Sequence, residues 1–249
     1  MNKRIAFVGA GAVGGYVAGR MTNAGYDVTV LDGWPAHVEA MNKDGLRLSG
    51  VSNDETMTVK MKAMHLSEAE RLSREKPIDV AIISTKSYDT DWAAQLIKQY
   101  LAEDGFVISL QNCINEERIA SHVGWGKTVG CIASGISVEL YEPGAIFRGV
   151  PRGGDKHIVF RLGEPHGRIT PRIEEMAEAF RTADSTKTTD NLWGERWSKL
   201  LHNSMQNGIA AATGLSTLHA ADSDAANQLK IRIGGEAALT GYAQGFKLV

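Results

Sequence analysis

Residues 8–15 read "VGAGAVGG", directly after the apolar run "RIAFV" at residues 4–8 and ahead of a helical pattern over residues 13–24. Gly9, Gly11 and Gly14 make a G-x-G-x-x-G spacing. Glycine-rich turns are common, so the triplet alone carries little weight. Its context carries more: a strand precedes it, a helix opens inside it, and a second strand, "DVTVL", follows at residues 27–31. In that setting Gly9 permits a tight turn, Gly11 lets the backbone approach a pyrophosphate, and Gly14 allows close helix–strand packing. With Ala10, Ala12 and Val13 between them, these residues form a candidate dinucleotide cradle. The helix N-terminus supplies its amide donors. The preceding "MNKR" gives the opening a superficial likeness to a signal peptide. However, the glycines between Gly9 and Gly19 weaken any membrane-inserting helix, and Arg20 ends the run too early to span a bilayer.

Working outward, "DVAIIS" (residues 79–84) and "GFVISL" (105–110) are further short apolar runs bounded by polar or turn-forming residues, as buried parallel strands are. Helical patterns over residues 13–24, 35–44 and 89–101 alternate with them, which predicts an α/β fold with a Rossmann-type, doubly wound parallel sheet. "TVGCIASGISVEL", "GAIFRG" and "HIVFRLG" read as more strands that finish this sheet. After about residue 187 proline is absent and apolar residues recur at helical spacing through "NQLKIRIGGEAALTGYAQGF". The expected organisation is therefore a dinucleotide-binding domain over 1–187 and a helical domain over 188–249, with "STKTTD" as the linker.

Composition excludes several classes. A net charge of −2 with 22 % charged residues leaves no electrostatic footprint for nucleic acid or an anionic membrane, so neither is expected as a partner. Cys113 and Cys131 are the only cysteines, too few for a disulfide framework or thiolate metal site, and the seven histidines are scattered. No metal is expected, and the cysteine usage fits a reducing cytoplasm.

Asp32 ends the second strand, where an acid in this fingerprint binds the adenosine ribose 2′-hydroxyl and repels the 2′-phosphate of NADP. That favours NADH, the alternative being that Asp32 caps the loop into "GWPAHVEAM". Lys86 in "STKSYDT" follows the third expected strand at the edge where ligands sit; it reaches a coenzyme phosphate or ribose, or is a surface lysine. Asn112 in "SLQNCINEE" is placed to bond a ribose or substrate, while Asn115 is expected to cap a helix. Late in the chain, "WSKLLHNSMQN" (197–207) stacks Lys199, Asn203 and Asn207 on one helical face. The spacing leaves open whether that face is solvated or functional.

Together, "VGAGAVGG", "STKSYDT", "LQNCINEE", "VELYEPG" and above all "WSKLLHNSMQNGIAAATG" resemble the ketopantoate reductase (2-dehydropantoate 2-reductase) family over nearly the whole chain. The resemblance implies an NAD(P)H-binding Rossmann domain joined to a helical domain, reducing a small 2-keto acid to a D-2-hydroxy acid in pantothenate synthesis. It implies that Lys199 is the proton donor, that Asn203 and Asn207 bind substrate, and that Asn112 serves coenzyme and substrate. Lys86 matches the family's lysine after the third strand, and Val138 stands loosely where a coenzyme-contacting alanine is usual. The chemistry is coherent: reducing a ketone leaves negative charge on oxygen, which a lysine ammonium both stabilises and protonates.

Two departures accompany the resemblance. The family usually takes NADPH, often with a basic residue where this chain has Asp32. The family's later serine and glutamate are absent before Val249, and Glu236 is no substitute. The helical domain therefore reads as truncated, and exposed apolar surface, low stability or a homodimer are expected of it. The alternatives are an NAD-dependent D-2-hydroxy-acid dehydrogenase for a bulkier side chain, or a dinucleotide-binding protein without turnover.

Overall fold

The computed structural model describes residues 3–52, 55–154, 156–216, 219–220 and 222–249. The chain divides into two compact units, Met1–Asp190 and Asn191–Val249. In the first, the elements run β1 (Arg4–Val8), α1 (Ala12–Asn23), β2 (Asp27–Asp32), α2 (Pro35–Lys43), β3 (Leu46–Ser49), β4 (Met57–Val59) and β5 (Lys62–His65). They continue with β6 (Ile78–Ile83), α3 (Thr90–Lys98), β7 (Leu101–Ser109), α4 (Glu116–Val123), β8 (Thr128–Ala133), β9 (Val138–Glu142), β10 (Ala145–Arg148), β11 (Phe160–Gly163), α5 (Pro171–Arg181) and β12 (Thr186–Thr189).

The main sheet has eight strands in the order β12-β11-β8-β7-β6-β1-β2-β5. Its strands pair in parallel except where β11 meets β8. Every residue of β1 is buried, and alternate side chains enter different cores. Ile5 and Phe7 join α1 and α5 on one face, while Ala6 and Val8 join α3 on the other. Helices on both faces explain why these strands read as unbroken apolar runs. From β1 the chain winds to β2 and β5 on one side, then returns to build β6, β7 and β8 on the other. The glycine turn after β1 thus stands at the reversal of winding, where ligands of such sheets bind.

Several expectations need correction. "TVGCIASGISVEL" is two strands, interrupted at residues 134–137, where Gly135 has a φ of +68°. Only β8 and β11 join the main sheet; β9 and β10 pair with β3 and β4 in a separate four-stranded sheet, ordered β4-β3-β10-β9. That sheet packs on α1 through a notch left by two glycines: a Cβ at Gly15 would lie 2.7 Å from Ile146 Cδ1, and one at Gly19 2.9 Å from Leu46 Cδ2. Fully buried Arg148 at the end of β10 pairs with Asp184 and donates to the Tyr16 hydroxyl of α1 at 3.2 Å. Thr186–Thr189, within the stretch expected as a linker, is the edge strand β12 beside β11. The helix expected over residues 89–101 ends at Lys98, and Leu101 already opens β7.

Among its described residues, the second unit contains α6 (Leu192–Thr213) and α7 (Asp224–Ala243). Asn191 caps α6 by accepting from Gly194 N–H at 3.3 Å, and Gly214 closes it with φ 68°. Trp197 Nε1 donates to Ala237 O at 2.8 Å, and a Cβ at Gly234 would lie 2.6 Å from Met205 Sδ, so the two helices pack closely. Phe246 returns onto Trp197 with ring centroids 5.2 Å apart. Among the described residues, no helix is long and apolar enough to cross a membrane.

Candidate active site

Gly9 has a φ of +95°, which L side chains rarely adopt, and a Cβ there would lie 3.0 Å from Thr85. At Gly14 a Cβ would lie 2.6 Å from Gly9 O, so helix and turn touch only because no side chain intervenes. Gly11 differs: nothing lies within 4 Å of its added Cβ. Gly11 is also the N-cap of α1, without a capping side chain, and the helix's first turn holds no acid. The first amides of α1 therefore lack intrahelical acceptors and face no competing carboxylate, a donor set that suits a diphosphate. Ala10, Ala12 and Val13 carry the intervening backbone.

Three side chains set the shape of this turn. Asp32 Oδ2 accepts from Ala10 N–H at 2.7 Å, and Asp32 Oδ1 accepts from Trp34 N–H at 2.8 Å. The loop-capping alternative for Asp32 is thus realised, and the same carboxylate also grips the glycine turn. Each oxygen keeps acceptor capacity for a hydroxyl. Ser84 Oγ donates to Gly9 O at 2.6 Å. His37, buried on α2, accepts from Gly144 N–H at Nδ1 (2.8 Å), so Nε2 carries the proton and donates to Ala10 O at 3.0 Å. A planar peptide points its C=O and the next N–H in opposite directions. Holding Ala10 O toward α2 therefore aims Gly11 N–H the other way.

The loops after β6 and β7 are laced together beside the turn. Gln111, buried, donates through Nε2 to Thr85 O at 3.1 Å, to Lys86 O at 3.3 Å and to Thr90 Oγ1 at 3.0 Å. Ser87 Oγ donates to Asn112 O at 3.0 Å. Lys86 and Asn112 thus lie in adjoining loops of one rim, both exposed. Asn115 is the N-cap of α4 by position, but the expected cap bond is not made. Its φ of −119° and ψ of −1° are not those of a capping residue, and its amide instead donates to Ser87 Oγ at 3.1 Å and Asn112 O at 2.8 Å. Val138 opens β9 in the small sheet, half-buried opposite Arg148.

Lys199, Asn203 and Asn207 lie on α6 of the second unit, successive turns apart along one face. Lys199 and Asn203 are half-buried and Asn207 is exposed. Burial pulls the Lys199 ammonium below the ordinary lysine value, and no carboxylate among the described residues offsets it.

The structure therefore joins residues 9–14, Asp32, Lys86 and Asn112 into one hydrogen-bonded rim, and sets Lys199, Asn203 and Asn207 as a second group on α6. Sequence reasoning missed His37, Ser84 and Gln111. For His37 a signal existed: it shares the buried face of α2 with Val38 and Met41, where a polar residue needs partners.

A sheet wound both ways from β1, with bare amides at the reversal and an acid at the end of β2, defines a dinucleotide-binding domain of the Rossmann class. Residues 5–154 match the family described as ketopantoate reductase PanE/ApbA. The 2-dehydropantoate 2-reductase of Pyrococcus horikoshii is 34 % identical over 247 residues, which cover 98 % of this chain and 75 % of that protein. The crystal structure of 2-dehydropantoate 2-reductase from Geobacter metallireducens matches with a TM-score of 0.85 at 30 % identity, over 97 % of this chain and 76 % of that one. D-mandelate dehydrogenase, solved with NADH and anilino(oxo)acetate, shares the fold with a TM-score of 0.84 at 20 % identity, over 98 % and 75 % of the two chains. The chain belongs to the ketopantoate reductase family, as its motifs implied.

Proposed function

We propose that this chain reduces ketopantoate to D-pantoate as a step of pantothenate synthesis, the reductase reaction being the one its relatives are named for, with residues 9–14 holding the diphosphate of NAD(P)H. With the coenzyme so held, its reduced nicotinamide would supply the hydride. The observation that carries the reading is Lys199: a half-buried ammonium on the helix whose next two turns present Asn203 and Asn207. An ammonium stabilises charge developing on a ketone oxygen and then gives it a proton, and a lowered pKa brings that donor nearer the working pH. Asn203 and Asn207 hold the substrate's carboxylate and hydroxyl without adding charge. Asn112, its backbone fixed by Ser87, offers its amide to ribose or substrate, and Lys86 offers an ammonium to phosphate or ribose.

For the coenzyme we favour NADH over NADPH. Asp32 keeps a carboxylate on the β2 edge beside the turn, where a 2′-phosphate would meet like charge. Cys113 carries a free thiol, and a chain using a reduced coenzyme fits the cytoplasm. Coenzyme oxidation followed by absorbance, with ketopantoate and then aromatic 2-keto acids, tests the reading. Ketopantoate is expected to give the higher kcat/KM with NADH. The D-mandelate dehydrogenase fold, solved with NADH, motivates the second reading, a D-2-hydroxy-acid dehydrogenase; a preference for aromatic acids would select it.

A further inference from the structure

Trp34 precedes α2 at the carboxyl edge of β2 and is 43 % exposed. Its position is fixed three times over. Its N–H donates to Asp32 Oδ1 at 2.8 Å. Pro35 behind it confines it to extended backbone, with φ −96° and ψ 102°. One face of the indole stacks on His37, with ring centroids 5.7 Å apart and planes at 29°. His37 is itself held by Gly144 N–H and Ala10 O, so the surface behind the indole is rigid. The exposed side of the ring remains open, two residues beyond the acid that grips the glycine turn.

We propose that this open face of Trp34 is the platform on which the adenine ring of the coenzyme stacks. The inference rests on the coenzyme reading above. In a sheet of this kind the acid at the end of β2 bonds the adenosine ribose of a dinucleotide, which brings the base within reach of the β2–α2 loop. Here the loop presents an uncharged aromatic plane, which every base can use through its π-face. Its pre-set orientation means little side-chain freedom is lost when the base arrives. Tyr88, 77 % exposed after β6, stands on the opposite flank of β1 and is the competing platform.

The test is calorimetric titration without keto acid, using NADH, ADP-ribose and reduced nicotinamide mononucleotide, on the unsubstituted chain and on Trp34→Ala, Trp34→Phe and Tyr88→Ala. Trp34→Ala is expected to weaken NADH and ADP-ribose by roughly 5- to 100-fold, as loss of one base-stacking contact does. Trp34→Phe should recover most of that affinity, and the mononucleotide, which has no adenine, should bind all four alike. ADP-ribose affinity unchanged in Trp34→Ala, or lost only in Tyr88→Ala, overturns the platform while the coenzyme reading stands. An equal loss for the mononucleotide also overturns it, because the damage would then be to the loop. If the unsubstituted chain binds none of the three, both readings fall together.

Discussion

The glycine-turn rim and the polar face of α6 are built in opposite ways. Around the rim, the carbonyls of Gly9 and Ala10 and the N–H of Ala10 are each held by a side chain, from Ser84, His37 and Asp32 respectively. On α6, the helix alone sets Lys199, Asn203 and Asn207 in order, and among the described residues no side-chain hydrogen bond ties one to another. A preorganised amide cradle suits a ligand held the same way through every turnover. A helical face with a half-buried ammonium that no carboxylate among the described residues pairs suits a group that must release and regain a proton. The difference teaches that damage to the rim should appear in coenzyme affinity, and damage to the α6 face in turnover.

The largest expected effect tests the α6 side. Lys199→Ala should lower kcat by ~10²–10⁴ while leaving the NADH dissociation constant unchanged. Single-turnover kinetics beside a coenzyme titration would check this, and a comparable loss in both quantities would erase the contrast. Lys199 should also set the alkaline limb of the pH profile. The acid works only while protonated, so kcat/KM for reduction, which reports the groups of the free enzyme, should fall as pH rises through its pKa. Burial lowers that pKa, so the limb should lie below the ordinary lysine range. The limb should disappear in Lys199→Ala; a limb that persists there belongs to another group.

Next in size is the rim. His37→Ala would leave Ala10 O and Gly144 N–H without their present partner in a buried setting. Each unsatisfied group costs about 1–3 kcal/mol. NADH should bind about tenfold or more weakly and the melting temperature should drop, while kcat at saturating coenzyme stays near that of the unsubstituted chain. A large fall in kcat with unchanged affinity would contradict the division of labour drawn here.

The same contrast separates what was legible in the residues from what was not. The centre of the main sheet was legible because strands covered on both faces must be apolar throughout, and the glycine spacing between strand and helix has few other uses. The small sheet was not, because β3 and β4 are short and β3 finds its partner across most of the unit, Arg47 opposite Ala145. Nothing local in "LRLS" names that partner. β12 read as a linker because an edge strand half open to solvent carries polar residues, and "TKTT" gives no apolar alternation. In the site, Asn115 shows the limit of position-based reading, since the loop around Ser87 took its side chain away from the helix end. The spacing of Lys199, Asn203 and Asn207 fixed a common face but not what that face meets.

The smallest expected effect is the most delicate, because Asp32 serves the rim in two ways. As an acceptor it holds Ala10 N–H and Trp34 N–H; as a charge it disfavours a 2′-phosphate. Asp32→Ala would remove both contributions and weaken NADH and NADPH together, hiding the preference. Asp32→Asn deletes the charge and keeps one acceptor oxygen, so one of the two N–H groups loses its partner; that loss falls on both coenzymes and cancels in their ratio. Two like charges in a partly solvated setting repel by about 1–4 kcal/mol at 4 Å, and a fraction of that remains at longer range. The ratio of kcat/KM for NADH over NADPH should therefore fall about tenfold in Asp32→Asn, because the lost N–H acceptor acts on both coenzymes alike while only NADPH gains from removal of the charge. Raising the salt concentration should shrink the ratio for the unsubstituted chain more than for the variant, since screening acts only where the carboxylate remains. If the two coenzymes keep their ratio in Asp32→Asn, the carboxylate is a backbone clamp alone, and NADH preference loses its physical basis.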